Sequence, residues 1–270
     1  MTRVLPIWAV LLALAAPARA DTARPPILRD VDFAQQIGAQ LPLDTPLRDE
    51  GGRAVTLRDF FAAGQPVVLV PAYYRCPQLC GLVQNGIASA LRALPLDVGR
   101  DFQVVTFSFD PSETAELAAR KKAALLDAYR RLGAEQGLHF LTGDAGSIRR
   151  LTEAIGFRYA YDEARREFAH ASGIVVATPG GVVSHYLYGV EFAPRDLKLA
   201  LVEASAGRLG STVDRLMLFC FMYDPATGRY SRLAFGAVRA GGALTVLLLV
   251  IAIALLLRRE AGRRGARIAE

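Results

Sequence analysis

Ala240–Leu257, eighteen consecutive residues without a charge, constrains this chain more than any other feature. As a helix it would be about 27 Å long, close to the hydrocarbon thickness of a bilayer. A helix packed on a soluble core keeps a polar face, and this run has no charged residue to build one. Arg258 and Arg259 follow at once, with Arg263, Arg264 and Arg267 behind them. An arginine-rich flank stays on the cytoplasmic side, so residues 258–270 read as a cytoplasmic tail and 240–257 as a transmembrane helix.

The other end agrees. Arg3 supplies a positive start, Val4–Ala16 an apolar stretch, and Ala18-Arg19-Ala20 a small-x-small cleavage site, the pattern of a secretory signal over residues 1–20. The apolar run is short for a span and ends at Pro17. A cleaved signal and one C-terminal span allow a single topology: residues 21–209 form an exported domain, in a bacterium periplasmic, joined through a linker at 210–239 to the inner membrane.

Charge then loses its usual implication. The net charge is +6, but Arg3, Arg19 and the tail carry nearly all of it, which leaves Asp21–Leu257 almost neutral. That excludes a nucleic-acid-binding surface as the reason for the basic composition. With 52% hydrophobic residues the chain is not disordered, and three cysteines are too few for a disulfide scaffold.

The exported domain alternates strand and helix. Leu43–Leu57 reads as a hairpin turning at Asp49-Glu50-Gly51-Gly52, and Pro66–Tyr74 as a buried central strand. A helix over Leu79–Leu94 and a strand over Phe102–Phe109 follow. Asp110-Pro111-Ser112 is expected to start a helix reaching Leu132, with Glu113 and Glu116 in its first turns, where the dipole favours them. A short strand at His139–Thr142 precedes a helix capped by Asp144 and running to Ile155. Gly173–Thr178 and Val182–Tyr188 pair across Pro179-Gly180-Gly181, and Pro194–Ala206 closes the domain. The order is that of an α/β, thioredoxin-like fold, with a parallel core sheet and an antiparallel edge.

Chemistry concentrates where the first central strand meets its helix, in Tyr73-Tyr74-Arg75-Cys76-Pro77-Gln78-Leu79-Cys80-Gly81. Cysteines four apart on a helix share one face and can chelate one ion. The helix N-terminus and Arg75 favour the thiolate, which binds metals and attacks disulfides. Two buried apolar cysteines or an inert disulfide are the alternatives.

Ala72–Cys80 resembles the Cys-Pro-x-x-Cys loop of the SCO/SenC family, membrane-tethered thioredoxin-like proteins of cytochrome c oxidase assembly. The similarity runs from about Leu41 to Gly207. Thr106-Phe107-Ser108-Phe109-Asp110-Pro111 resembles the family's strand ending in Asp-Pro, and His170–Gly181 its segment in which a histidine precedes a strand and a Pro/Gly turn. The resemblance implies that Cys76, Cys80 and His170 bind one copper ion, and that the protein is a copper metallochaperone for the CuA centre of cytochrome c oxidase subunit II. The C-terminal position of the anchor departs from the commoner N-terminal one. Two thiolates and an imidazole suit Cu(I), and the third ligand helps to hold Cu(II). Ligand type alone also admits zinc.

The same pair admits a thiol–disulfide reductase that keeps the acceptor's cysteines reduced, a thiol peroxidase, or a redox or copper sensor. His185 reads as a half-exposed strand residue and His139 as structural. Cys220 and Met222, in Leu218-Phe219-Cys220-Phe221-Met222, offer soft sulfurs just before the membrane, but a second site there has little support.

Overall fold

The computed structural model describes residues 31–76, 79–209, 223–224, 229–230, 241–251 and 253, and for residues 79, 80, 223, 224, 229 and 230 the backbone alone. The expected signal at 1–20, most of the expected linker and the expected tail lie outside the described residues, as do Cys220 and Met222. Of the C-terminal apolar run, residues 241–251 are helical and exposed. Among the described residues no helix is long and apolar enough to cross a membrane. The remainder of that run is outside them.

A five-stranded sheet organises the domain that precedes residue 210. Strands β4 (Val67–Ala72), β5 (Gln103–Ser108) and β6 (Leu138–Leu141) are parallel, while β9 (Gly173–Ala177) and β10 (Val183–Tyr188) form an antiparallel edge. The order is β10-β9-β4-β5-β6, a thioredoxin-like arrangement with β4 in the middle. All six residues of β4 and all six of β5 are buried, as strands covered on both faces should be, although β5 carries Gln103, Thr106 and Ser108 among its apolar residues.

The two-residue alternation of a strand divides these side chains between two cores. Val68, Val70 and Ala72 face one core with helices α1 (Leu79–Ala93), α2 (Ala115–Tyr129) and α4 (Pro194–Ser205). Val67 and Leu69 face the other, beside Ile148 and Leu151 of α3 (Ala145–Ala154). Helix α1 carries Gly86 at a close approach: an added Cβ would lie 1.9 Å from the carbonyl oxygen of Val190. Glycine in a helix interior costs up to about 1 kcal/mol, and here it lets the segment after β10 rest directly on the helix.

The expected hairpin is present as β2 (Pro46–Arg48) and β3 (Ala54–Thr56). Asp144 caps α3, accepting the Ser147 N–H at 2.8 Å. Two helix boundaries differ by more than one residue. Helix α2 begins at Ala115 rather than at Asp110-Pro111-Ser112, because Asp110 Oδ1 accepts the Ser112 N–H at 2.8 Å and closes a local turn instead. It ends at Tyr129 rather than Leu132, since Arg130 turns left-handed with φ 58°.

One element was absent from the expected order. Strands β7 (Phe157–Asp162) and β8 (Glu167–His170) form a hairpin that pairs with β1 (Asp32–Phe33) in a separate three-stranded sheet. Phe157, Tyr159, Phe168 and His170 lie on one face and pack with Phe109 from the end of β5.

His139 is structural, as expected. Its Nε2 donates to Gln103 Oε1 at 2.9 Å, and its ring lies 4.6 Å from that of Phe60. Burial, with the Lys122 charge nearby, brings its pKa down from 6.5 to about 4. The folded state therefore holds a neutral ring while the unfolded chain takes a proton near pH 6.5, so this contribution to stability is complete above pH 6.5 and is lost as the pH falls towards 4. At about pH 5 the loss should amount to roughly 1–2 kcal/mol. The melting temperature of His139→Phe should accordingly fall less steeply than the parent's between neutral pH and about 5, as followed by circular dichroism.

Candidate metal centre

Strand β4 delivers the chain to the cysteine loop, and the loop is fixed before the first cysteine is reached. Tyr74 is 1% exposed, and its hydroxyl sits between the carbonyl oxygens of Thr106 and Leu141 at 3.1 and 2.9 Å. The backbone N–H of Tyr74 donates to Glu113 Oε2 at 2.9 Å and that of Arg75 to Glu113 Oε1 at 2.7 Å, while Ser108 Oγ donates to Oε2 at 2.6 Å. Glu113 is 6% exposed, and burial raises its pKa although these three donors oppose the rise.

This role corrects the expectation that Glu113 serves the dipole of a helical first turn. It precedes the helix and reaches across to the neighbouring strand's loop. The available signal was its place just beyond β5, at the edge where the loops after parallel strands converge.

Cys76 follows, half-buried against the aromatic face of the second core, its N–H donating to Tyr73 O at 3.1 Å. Pro77 and Gln78 lie outside the described residues. Cys80 is the second residue of α1, and its side chain is likewise outside them. Arg75, expected to favour the thiolate, directs its guanidinium to Ser112, with Nη1 at 3.0 Å from Oγ and Nη2 at 3.0 Å from the carbonyl oxygen.

His170 ends β8, opposite Tyr159. Its Nδ1 lies 2.9 Å from the carbonyl oxygen of Ala171, which can only accept. The proton is thus on Nδ1, and the neutral ring keeps its lone pair on Nε2, the form that ligates a metal. Burial lowers the pKa and holds the ring neutral. Its centroid is 5.1 Å from Phe109 and 6.3 Å from Phe157, which set the ring's plane.

A small cleft shows what His170 faces. Pro71 and Ala72 of β4, Val83 and Gln84 of α1, and His170 and Ser172 line it. The histidine thus lies against the strand that leads to Cys76 and the helix whose first turn holds Cys80. Among the described residues no three metal-ligating side chains form a cluster.

His185 is elsewhere and engaged. Its Nδ1 pairs with Ser184 Oγ at 2.7 Å and its Nε2 with Glu203 Oε2 at 2.8 Å, tying β10 to α4.

The Glu113 clamp has a local consequence. Glu113→Gln keeps the shape but offers only one oxygen to two backbone N–H groups. Amide hydrogen exchange at Tyr74 and Arg75 should speed by roughly tenfold, the equivalent of about one lost hydrogen bond. The global melting temperature should move little, because a desolvated charge is removed in the same step.

With this geometry in view, comparisons place the chain. The family model described as SCO1/SenC matches residues 40–203. The chain is 27% identical to a candidate electron transfer protein from Aquifex aeolicus VF5 of known crystal structure, with a TM-score of 0.56 over 64% of this chain and 95% of that one. A candidate electron transport protein from the same organism is also 27% identical, with a TM-score of 0.51 over 64% of this chain and 99% of that one. ScoI of Arabidopsis thaliana, crystallised with copper bound, has the same fold at 19% identity and a TM-score of 0.50, over 63% of this chain and 99% of that one. Comparison with curated proteins gave no match. Because the family model spans more than half of its length, including both loop cysteines and His170, this chain belongs to the SCO1/SenC family.

Proposed function

We propose that this protein is a copper metallochaperone that delivers copper to the CuA centre of cytochrome c oxidase subunit II, with Cys76, Cys80 and His170 as the ligands. The observation that carries the reading is the neutral His170, its Nε2 lone pair unprotonated, on the cleft shared with the helix of Cys80 and the strand leading to Cys76. Membership of the SCO1/SenC family supports it, and copper in the Arabidopsis relative is consistent with it.

Copper is cargo here. Two thiolates and an imidazole match Cu(I), and the imidazole adds the harder donor that Cu(II) prefers. Three protein ligands leave one side for a ligand from the acceptor, so the ion can move by exchange of ligands without ever being released to water. The domain works in the periplasm, exported by residues 1–20 and held at the inner membrane by 240–257, with 258–270 in the cytoplasm.

The reduced protein should bind about one copper per chain, read by titration with a chromophoric competitor. Cys76→Ser or Cys80→Ser should abolish binding. His170→Ala should weaken it, most for Cu(II), and His185→Ala should leave it nearly unchanged, since Ser184 and Glu203 hold both of that ring's nitrogens. A larger effect from His185→Ala would reassign the third ligand.

A thiol–disulfide reductase acting on the acceptor would use the same cysteines, but it needs no imidazole from a distant hairpin. In cells at limiting copper, His170→Ala should lower CuA assembly and added copper should partly restore it, while the cysteine pair stays redox-active toward a dithiol in vitro. Full activity of that strain, beside inactive cysteine mutants, would favour the reductase.

Topology has its own test. A reporter fused after residue 270 should be active only in the cytoplasm, and one fused near Gly207 only outside it. The opposite pattern would remove the tethered, exported arrangement.

A further inference from the structure

The imidazole of His170 is held by rings, and one of them comes from the other sheet. Among the described residues the imidazole makes one hydrogen bond, from Nδ1–H to the carbonyl oxygen of Ala171. That acceptor is the next residue, so the bond fixes nothing across the domain. Of the two rings beside it, Phe157 belongs to the same hairpin and travels with it, whereas Phe109 directly follows β5 of the central sheet. Phe109 is fully buried, and its N–H donates to the carbonyl oxygen of Ala72, the last residue of β4, at 3.0 Å. Its ring also meets Tyr73, Tyr159 and Phe168, with centroids 6.2, 4.8 and 5.6 Å away. Cys76 packs against the same core.

Phe109 is thus tied by its backbone to the strand that leads to Cys76 and by its ring to the imidazole. Aromatic pairs keep preferred separations of about 4.5–7 Å, so a ring here works as a spacer, which a shorter aliphatic side chain could not do. We propose that Phe109 is a positioning residue that sets how far His170 stands from the cysteine turn, and through that distance the preference between Cu(II) and Cu(I). Soft thiolates hold Cu(I) by themselves, whereas Cu(II) depends on the imidazole, so a displaced His170 is felt chiefly by Cu(II). The inference rests on the reading of Cys76, Cys80 and His170 as copper ligands. Phe107 supplies the contrast. It lies two residues earlier, is as deeply buried in the same core, and has no ring contact with the hairpin among the described residues.

The test uses the purified full chain. The dissociation constant for Cu(II) should rise about fivefold in Phe109→Leu, within the range that aromatic pairs contribute, while that for Cu(I) stays within about twofold. Phe109→Met fills more of the space without a ring and should behave alike. It decides the matter where Phe109→Leu is too unstable to read. In a His170→Ala background the effect of either variant on Cu(II) should fall below about twofold, because the residue through which Phe109 acts is gone. Phe107→Leu should lower the melting temperature and leave the ratio of the two constants within about twofold of the parent's. A merely structural role would weaken both oxidation states equally, in both backgrounds, and that result would overturn the inference.

A second readout needs no metal. Diethylpyrocarbonate acylates an unprotonated imidazole nitrogen, and mass spectrometry follows His139, His170 and His185 separately. At fixed neutral pH, His170 of the copper-free chain should react about fivefold faster in Phe109→Leu and Phe109→Met, as the hairpin loses its spacer. His139 and His185 serve as references and should not change. A His170 that reacts at the parent's rate in both variants would overturn the inference as well. A parent that binds no copper, while Phe109 still governs the reactivity of His170, would sink the metallochaperone reading and leave the positioning of the imidazole standing.

Discussion

Strand β4 runs through the middle of the sheet with both faces covered, and a chain leaving such a strand must do something with the N–H groups that no longer have a ladder. Glu113 is the answer in this protein. A carboxylate withdrawn from water takes the amides of Tyr74 and Arg75 together with the Ser108 hydroxyl, so the turn before Cys76 is held by charge-assisted bonds. The arrangement is costly, as the raised pKa of Glu113 shows, and it is tolerated because three donors converge on two oxygens. Without it the loop would be held by the Tyr74 hydroxyl, the Arg75 guanidinium on Ser112 and the Cys76 N–H on Tyr73, and the two amides would lose their acceptor.

Strand β4 was legible because burial on both faces writes an uninterrupted apolar run, and the edge hairpin because Pro179-Gly180-Gly181 punctuates it. The cysteine turn was legible from the junction of strand and helix. The hairpin of β7 and β8 was not. It has no Gly or Pro at its turn, and its alternation of Phe157, Tyr159 and Tyr161 with Arg158, Ala160 and Asp162 is short, so nothing punctuates it. The position of His170 along the chain came from a resemblance, whereas its tautomer is a property of the fold alone.

Glu113 illustrates a second limit. It stands next to a helix start, where a local reading assigns it to the dipole. Its partners lie elsewhere: backbone N–H groups thirty-eight and thirty-nine residues away. Pairings that depend on how strands lie side by side leave no mark at the level of spacing.

The separate three-stranded sheet gives the site an architecture of two leaves. Both cysteines belong to the leaf built around β4 and α1, while His170 belongs to the leaf of β1, β7 and β8, joined to the first mainly through rings such as Phe109. An ion held by all three would staple the leaves like a clasp. Small peripheral sheets open at lower free energy than a central one. An exchange of ligands that began at the imidazole would then disturb only the smaller leaf and leave the central sheet as it stands.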